Sequence, residues 1–233
     1  MEKKMTKKEI TKKEITKKEL TWCAIGDSFT YLDSHLDETG FRVKKGYLGR
    51  TLDLLSMPVR VVNLGINGSA TTDWVTQELV KADFYTILLG TNDWFSRHTP
   101  LGTAEDYDSE REGTILGNLS CLIGNIRRTG GQAPVFVMNP VERGDFVCIS
   151  DPDHRAHGSD RKENGLWLWE VSAAIFGTVR GTDIYPIDLH SRAGITQENV
   201  AGMTYDGLHP SDKGCDSIAR VLSEEINHVM EAY

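Results

Sequence analysis

Leu20-Thr21-Trp22-Cys23-Ala24-Ile25-Gly26-Asp27-Ser28-Phe29-Thr30 is an apolar run that closes on a glycine, an acid and a serine. Residues 20–25 suffice for one buried strand, and Gly-Asp-Ser marks a turn at its carboxyl end. A turn there can lift the Ser28 hydroxyl above the sheet edge, where open α/β sheets gather their chemistry. Four more short apolar runs follow at Val59–Asn63 and at residues 84–89, 134–138 and 183–189.

Helical patterns separate these runs. Ile115, Leu116, Leu119, Leu122, Ile123 and Ile126 form an i, i+4, i+7, i+8 stripe that stops at Gly130-Gly131. Leu48, Leu52 and Leu55 predict a second helix ending before Pro58; a third is expected near Thr72-Asp73 and a fourth over residues 164–179. The last opens at Pro210-Ser211, with proline in the first turn, and carries Ile218, Val221, Leu222, Ile226 and Val229 on one face. Strands alternating with helices imply a parallel sheet covered on both faces, a three-layer α/β/α domain. Residues 94–107 and 139–163 read as long polar loops at strand ends, the usual walls of a substrate site.

Three distant phrases supply acyl-transfer chemistry. Gly26-Asp27-Ser28 offers a hydroxyl, which needs a base to become a nucleophile. His209, in Asp206-Gly207-Leu208-His209-Pro210, is the candidate base, and Asp206 can hold its tautomer and stabilise its charged form. A developing oxyanion needs donors; the Asn92 amide in Gly90-Thr91-Asn92-Asp93 and the backbone N–H groups of Gly68 and Ser28 are the candidates. The G-x-S-x-G elbow of α/β-hydrolases is absent, since Thr30 stands where its last glycine would be.

These four blocks, in this order over residues 26–210, closely resemble the SGNH hydrolases, also called GDSL lipases and esterases. The resemblance implies a flavodoxin-like five-stranded parallel sheet of order 2-1-3-4-5, a cofactor-free Ser/His/Asp mechanism, and Ser28, Gly68, Asn92 and His209 as the four name-giving positions. In that order the ends of the second, first and third strands adjoin, so that Gly68, Ser28 and Asn92 meet. Phe29-Thr30 departs from the leucine of the family name. The long loops, with Asn139-Pro140-Val141-Glu142-Arg143-Gly144-Asp145-Phe146, look like those of carbohydrate-associated members, which implies removal of an acetyl or other short acyl group from a glycan. Lysophospholipase or thioesterase action on longer chains, or glycan binding without turnover, are the alternatives. A nucleotide-binding flavodoxin-like protein is disfavoured, because Asp27 stands where a phosphate-cradling Gly-rich loop is needed.

Composition narrows the partners. With 233 residues and 39% hydrophobic content the chain reads as one domain, residues 20–233, behind a Lys/Glu-rich extension, residues 1–19. Its net charge of −8 argues against a nucleic-acid or anionic-membrane partner; a small-molecule or glycan ester is the partner that the resemblance implies. Residues 1–20 hold eight lysines and four glutamates in a repeated Thr-Lys-Lys-Glu-(Ile/Leu) phrase whose five-residue step builds no apolar stripe. It reads as an ornamental extension or a marginal helix, with a membrane or partner tether as the alternative. No apolar stretch reaches the ~20 residues of a spanning helix, and no secretory signal core is seen, so the chain reads as unexported as written. The four cysteines lack C-x-x-C spacing; Cys23 and Cys121 lie in apolar runs and read as buried.

Several residues carry a plainer reading too. A second D-x-x-H, Asp151-Pro152-Asp153-His154, has no amphipathic helix directly after it, unlike Asp206/His209. With His157 it could ligate a metal, but neither zinc-finger nor H-E-x-x-H spacing is present, and no metal is expected. Asp27 and Asp93 suit local backbone hydrogen bonding as well as substrate contact. Trp94 and Phe95 suit sugar stacking or packing. Trp167 and Trp169, two apart on a predicted helix, should not share a face.

Overall fold

The computed structural model describes residues 18–148 and 151–233. All but the last two residues of the Lys/Glu-rich extension lie outside the described residues. So do the side chains of residues 151–154, and with them the second D-x-x-H and the metal reading; among the described residues no cluster of three metal-ligating side chains occurs.

Five strands form one parallel sheet: β1 (Leu20–Gly26), β2 (Val59–Asn63), β3 (Phe84–Leu88), β4 (Val135–Met138) and β7 (Ile184–Ile187). Their spatial order is β2-β1-β3-β4-β7, the 2-1-3-4-5 order once the intervening hairpin is set aside. Alternation along β1 divides the core: Trp22 and Ala24 face one layer, Cys23 and Ile25 the other. Trp22 satisfies its indole N–H on Thr86 Oγ1 at 2.8 Å, so the largest side chain of β1 is buried without an orphaned donor.

Helices α2 (Tyr47–Leu54) and α8 (Asp212–Met230) cover the first face; α4 (Ile115–Gly130) and α5 (Leu168–Thr178) cover the second. Short helices α1 (Ser28–Tyr31), α3 (Ala104–Asp108), α6 (Leu189–Arg192) and α7 (Val200–Met203) line the connections. Among the described residues no helix is long and apolar enough to cross a membrane.

The structure differs from the sequence reading in five places. The expected third helix is one 3₁₀ turn, Thr71–Trp74; the Val75 carbonyl, which a continuing helix would use, is taken by the Asn125 side chain of α4. Helix α5 begins at Leu168, where Glu170 Oε2 accepts the Trp167 N–H. Helix α8 begins after Pro210, capped by Ser211, while Pro210 pairs with Thr204 in an isolated bridge. The loop over residues 139–163 contains an antiparallel hairpin, β5 (Asp145–Cys148) and β6 (Asp151–His157), and the other long loop contains a π turn (Asp93–Arg97) and α3. Trp167 precedes α5, so its ring and that of Trp169 stack at 6.2 Å after all.

Candidate active site

Parallel strands deliver their carboxyl ends to one edge. Gly26 ends β1, and a Cβ there would stand 2.1 Å from Thr30 Oγ1. Glycine thus lets the chain fold back tightly into α1, and Thr30 Oγ1 meets the Tyr47 hydroxyl at 2.8 Å. Asp27 caps the turn by accepting the Phe29 N–H at 3.0 Å. Ser28 is thereby fixed at the start of α1.

His209 reaches Ser28 from the turn that precedes α8. Its Nε2 lies 2.9 Å from Ser28 Oγ, and its Nδ1 lies 2.7 Å from Asp206 Oδ2. The second carboxylate oxygen of Asp206 accepts the backbone N–H groups of Leu208 at 3.0 Å and His209 at 2.7 Å. One carboxylate therefore shapes the turn and orients the ring it carries. Burial pushes the Asp206 carboxyl up, but the imidazole and the two backbone donors outweigh it, and the group sits below its ordinary value. Hydrogen-bonded in this way, an imidazole can take a serine proton at Nε2 while its Nδ1–H stays on the carboxylate.

The oxyanion candidates gather at the same edge. Ile66 N–H donates to the Gly26 carbonyl at 3.0 Å, and Asn92 Nδ2 donates to the Ser69 carbonyl at 2.9 Å. The ends of β2, β1 and β3 are tied together by these bonds. Gly68 is exposed in a left-handed conformation, φ 73°, with open space where a side chain would stand.

The three remaining candidates are placed differently. Trp94 is fully buried, donates its indole N–H to the Leu166 carbonyl at 3.1 Å, and has Arg143 and Lys162 at 5.4 and 5.6 Å from its ring centroid. A sugar ring has no access to it. Asp93 accepts both the N–H and the hydroxyl of Thr71, at 2.9 and 2.6 Å, and is buried like Asp27. These acids serve the framework.

Burial pushes Asp27 up to about 7, only partly offset by the Phe29 N–H and reinforced by the nearby Asp93 carboxylate. A carboxyl whose folded value exceeds its unfolded value of 3.8 binds more protons folded than unfolded between those values, so stability falls as pH rises from about 4 to about 7 and then levels. Asp27→Asn keeps an acceptor for Phe29 and removes the buried charge. Thermal melts should show the variant gaining on the wild type by about 2–4 kcal/mol between pH 4.5 and 8; a difference that stays constant with pH would refute a buried, titrating Asp27.

The sequence reading did not anticipate the rings around His209. Tyr205 stacks on the imidazole at 5.8 Å, Phe29 lies at 5.8 Å, and Phe146 meets it edge-on at 5.6 Å. Tyr205 is next to Asp206, so adjacency was the available signal; Phe146 arrives from the hairpin and left none.

The sequence matches the GDSL-like lipase/acylhydrolase family over residues 24–216. A possible lipase from Chitinophaga pinensis DSM 2588 is 34% identical, with a TM-score of 0.80 over 91% of this chain and 99% of that one. A carbohydrate esterase family 3 structure from Talaromyces cellulolyticus is 15% identical, TM-score 0.55, over 92% of this chain and 99% of that one. An acetyl esterase mutant bound to acetate is also 15% identical, TM-score 0.54, over 91% and 99%. These last two share the fold alone. No match was found among curated proteins. Since the family match takes in the Gly-Asp-Ser turn of β1, the Asn92 block and the His209 turn together with the sheet that joins them, the chain belongs to the GDSL-like lipase/acylhydrolase family.

Proposed function

We propose that the chain is a serine ester hydrolase that removes acetyl or similarly short acyl groups from a carbohydrate. The observation that carries this reading is the unbroken hydrogen-bonded line Ser28–His209–Asp206. Ser28 Oγ attacks the ester carbonyl as its proton passes to His209 Nε2; the alcohol leaves with that proton. Water then gives a proton to His209, attacks the acyl-enzyme, and frees the acid while Ser28 regains its hydrogen.

The oxyanion forms between the N–H groups of Ser28 and Gly68 and the Asn92 amide. Asn92 spends one of its two amide hydrogens on Ser69, which fixes the group and leaves the other to donate. Asn92→Ala is accordingly expected to lower kcat about 10²–10³-fold with little change in KM, measured on p-nitrophenyl acetate. A variant that loses only KM would remove Asn92 from the oxyanion site.

Two concave surfaces flank this part of the molecule. The apolar slot that touches the imidazole, lined by Phe29, Leu36, Val43, Tyr205 and Pro210, encloses about 10 Å³, room for roughly one water. A more open groove lined by Ala70, Thr72, Asp73, Arg97, Thr99 and Pro100 mixes polar and apolar surface, with Arg97 paired to Asp73 at 3.3 Å. The carbohydrate esterase and the acetyl esterase that share the fold make acetylated oligosaccharides the first substrates to test.

The test uses p-nitrophenyl acetate and octanoate, acetate release from acetylated oligosaccharides, and a fluorophosphonate probe with the label located by mass spectrometry. Faster turnover of acetate esters with the label on Ser28 is the expected result. Preference for octanoate would move the reading to long acyl chains. Saturable sugar binding with neither turnover nor label would make this a glycan-binding protein.

A further inference from the structure

Arg143 is 1% exposed, and its Nε and Nη1 are buried without a hydrogen-bond partner among the described residues. Nη2 donates to the Ala156 carbonyl of β6 at 3.2 Å. Its guanidinium instead lies over three rings: Phe95 at 4.5 Å, Trp94 at 5.4 Å and Phe146 at 5.4 Å. A buried cation with orphaned donors is a poor way to fill space, because an apolar side chain of similar volume is usually no worse and often more stable there. The charge therefore calls for a use.

Its neighbourhood indicates one. Phe146, which Arg143 covers, is the ring that meets the His209 imidazole edge-on. The backbone of the same segment clamps the His209 turn: Gly144 N–H donates to the Gly207 carbonyl at 2.7 Å. A Cβ at Gly207, φ 89°, would stand 1.9 Å from the Asp145 carbonyl oxygen, so the two strands of chain are in direct contact. Arg143 is itself pinned at both ends of its peptide. Its N–H donates to Glu142 Oε1 at 2.9 Å, and its carbonyl accepts Gln197 Nε2 at 2.9 Å.

We infer that Arg143 is a positioning residue for His209: its guanidinium holds Phe146 against the imidazole and, with Asp206, sets the electrostatic field in which that ring gains and loses its proton. This rests on the esterase reading of the site. The charged groups around Arg143 are Asp206 on the His209 turn, Asp145 on β5, Asp160 beyond β6 and Glu142 beside it, with Lys162 sharing the Trp94 and Phe95 rings. Burial pulls the guanidinium down to about 10 against the pull of these acids, so it remains a cation at neutral pH. A neighbouring cation opposes a second positive charge on the imidazole; removing it makes imidazolium easier to form.

The experiment follows the rate at which a fluorophosphonate labels Ser28 between pH 4.5 and 9, which needs no knowledge of the natural ester. Arg143→Met, shown to be folded by circular dichroism and a cooperative melt, is expected to label about 10- to 100-fold more slowly. The acidic limb of its profile should also move to higher pH by roughly half a unit or more. Arg143→Lys should return the limb toward its wild-type position and recover part of the rate. A purely structural role would lower the rate without moving the limb. A folded Arg143→Met with the wild-type rate and limb, or an Arg143→Lys that behaves as Arg143→Met does, would overturn the inference. If Arg143→Met does not fold, Phe146→Leu decides: it leaves the charge and removes the ring, so slower labelling with an unmoved limb supports the inference and the wild-type rate overturns it. Wild-type protein that takes no label at Ser28 would sink the esterase reading and this inference with it, whereas labelled wild type with indifferent variants sinks the inference alone.

Discussion

His209→Ala is expected to lower kcat on p-nitrophenyl acetate by on the order of 10⁴–10⁶, and adding Ser28→Ala should cost almost nothing more. The reason lies in how the two side chains share one proton. Ser28 Oγ is 2.9 Å from His209 Nε2, and without that base the hydroxyl is too weak a nucleophile to form the acyl-enzyme. Groups that act as one unit are non-additive, so the double variant should fall to the rate of either single one. The fold should tolerate the change. The turn is held by backbone donors to Asp206 Oδ1, and the His209 carbonyl accepts the Tyr205 N–H at 2.9 Å, bonds that survive an alanine. What is lost is ring packing between Tyr205, Phe29 and Phe146, which a melt would report as a modest fall in Tm. Multiplicative losses in the double variant would show that Ser28 and His209 act separately, and the proposed proton path would fail.

The central sheet was legible because each of its strands carries its own signal. Residues 20–25 and 84–89 alternate between the two cores, and the observed strands begin and end within one residue of those runs. The Asp206/His209 phrase was separable from its duplicate at Asp151 because an amphipathic helix follows it, and α8 is that helix. The hairpin was illegible for the opposite reason. Asp145–Cys148 spans only four residues, Asp151–His157 is mostly polar, and the pairing is broken by an irregularity at Val147/Cys148, so no period of two survives in the sequence. Arg143 gave no local signal either. Its burial depends on rings from the π turn after β3 and from the hairpin, and a long-range assembly of that kind writes nothing local. Trp94 misled in the other direction: two residues after Asn92 in the chain, it points into the core beneath the loop, where Leu166 takes its N–H.

Asp206→Asn is expected to lower kcat about 10⁴-fold with the fold retained, and it separates the two tasks of this carboxylate. Oδ1 shapes the turn by accepting two backbone N–H groups, a task the amide oxygen of asparagine can keep. Oδ2 faces His209 Nδ1 at 2.7 Å, and there the amide presents a donor where an acceptor is needed. Two donors cannot share that bond, so the imidazole must carry its hydrogen on Nε2, the nitrogen that has to receive the Ser28 proton. The geometry survives while the base is held in the wrong tautomer. The loss should therefore appear in kcat at every pH rather than as a shifted optimum. Stability gives an independent check. The wild-type carboxyl sits below its ordinary value when folded, so its favourable contribution is present above the unfolded carboxylate range and is lost as pH falls through the folded value. Asparagine has no such dependence, and the stability gap between wild type and variant should close on acidification. Activity within tenfold of wild type would mean that Asp206 does not set the tautomer, and a gap that persists at low pH would mean that its carboxylate is not held by His209.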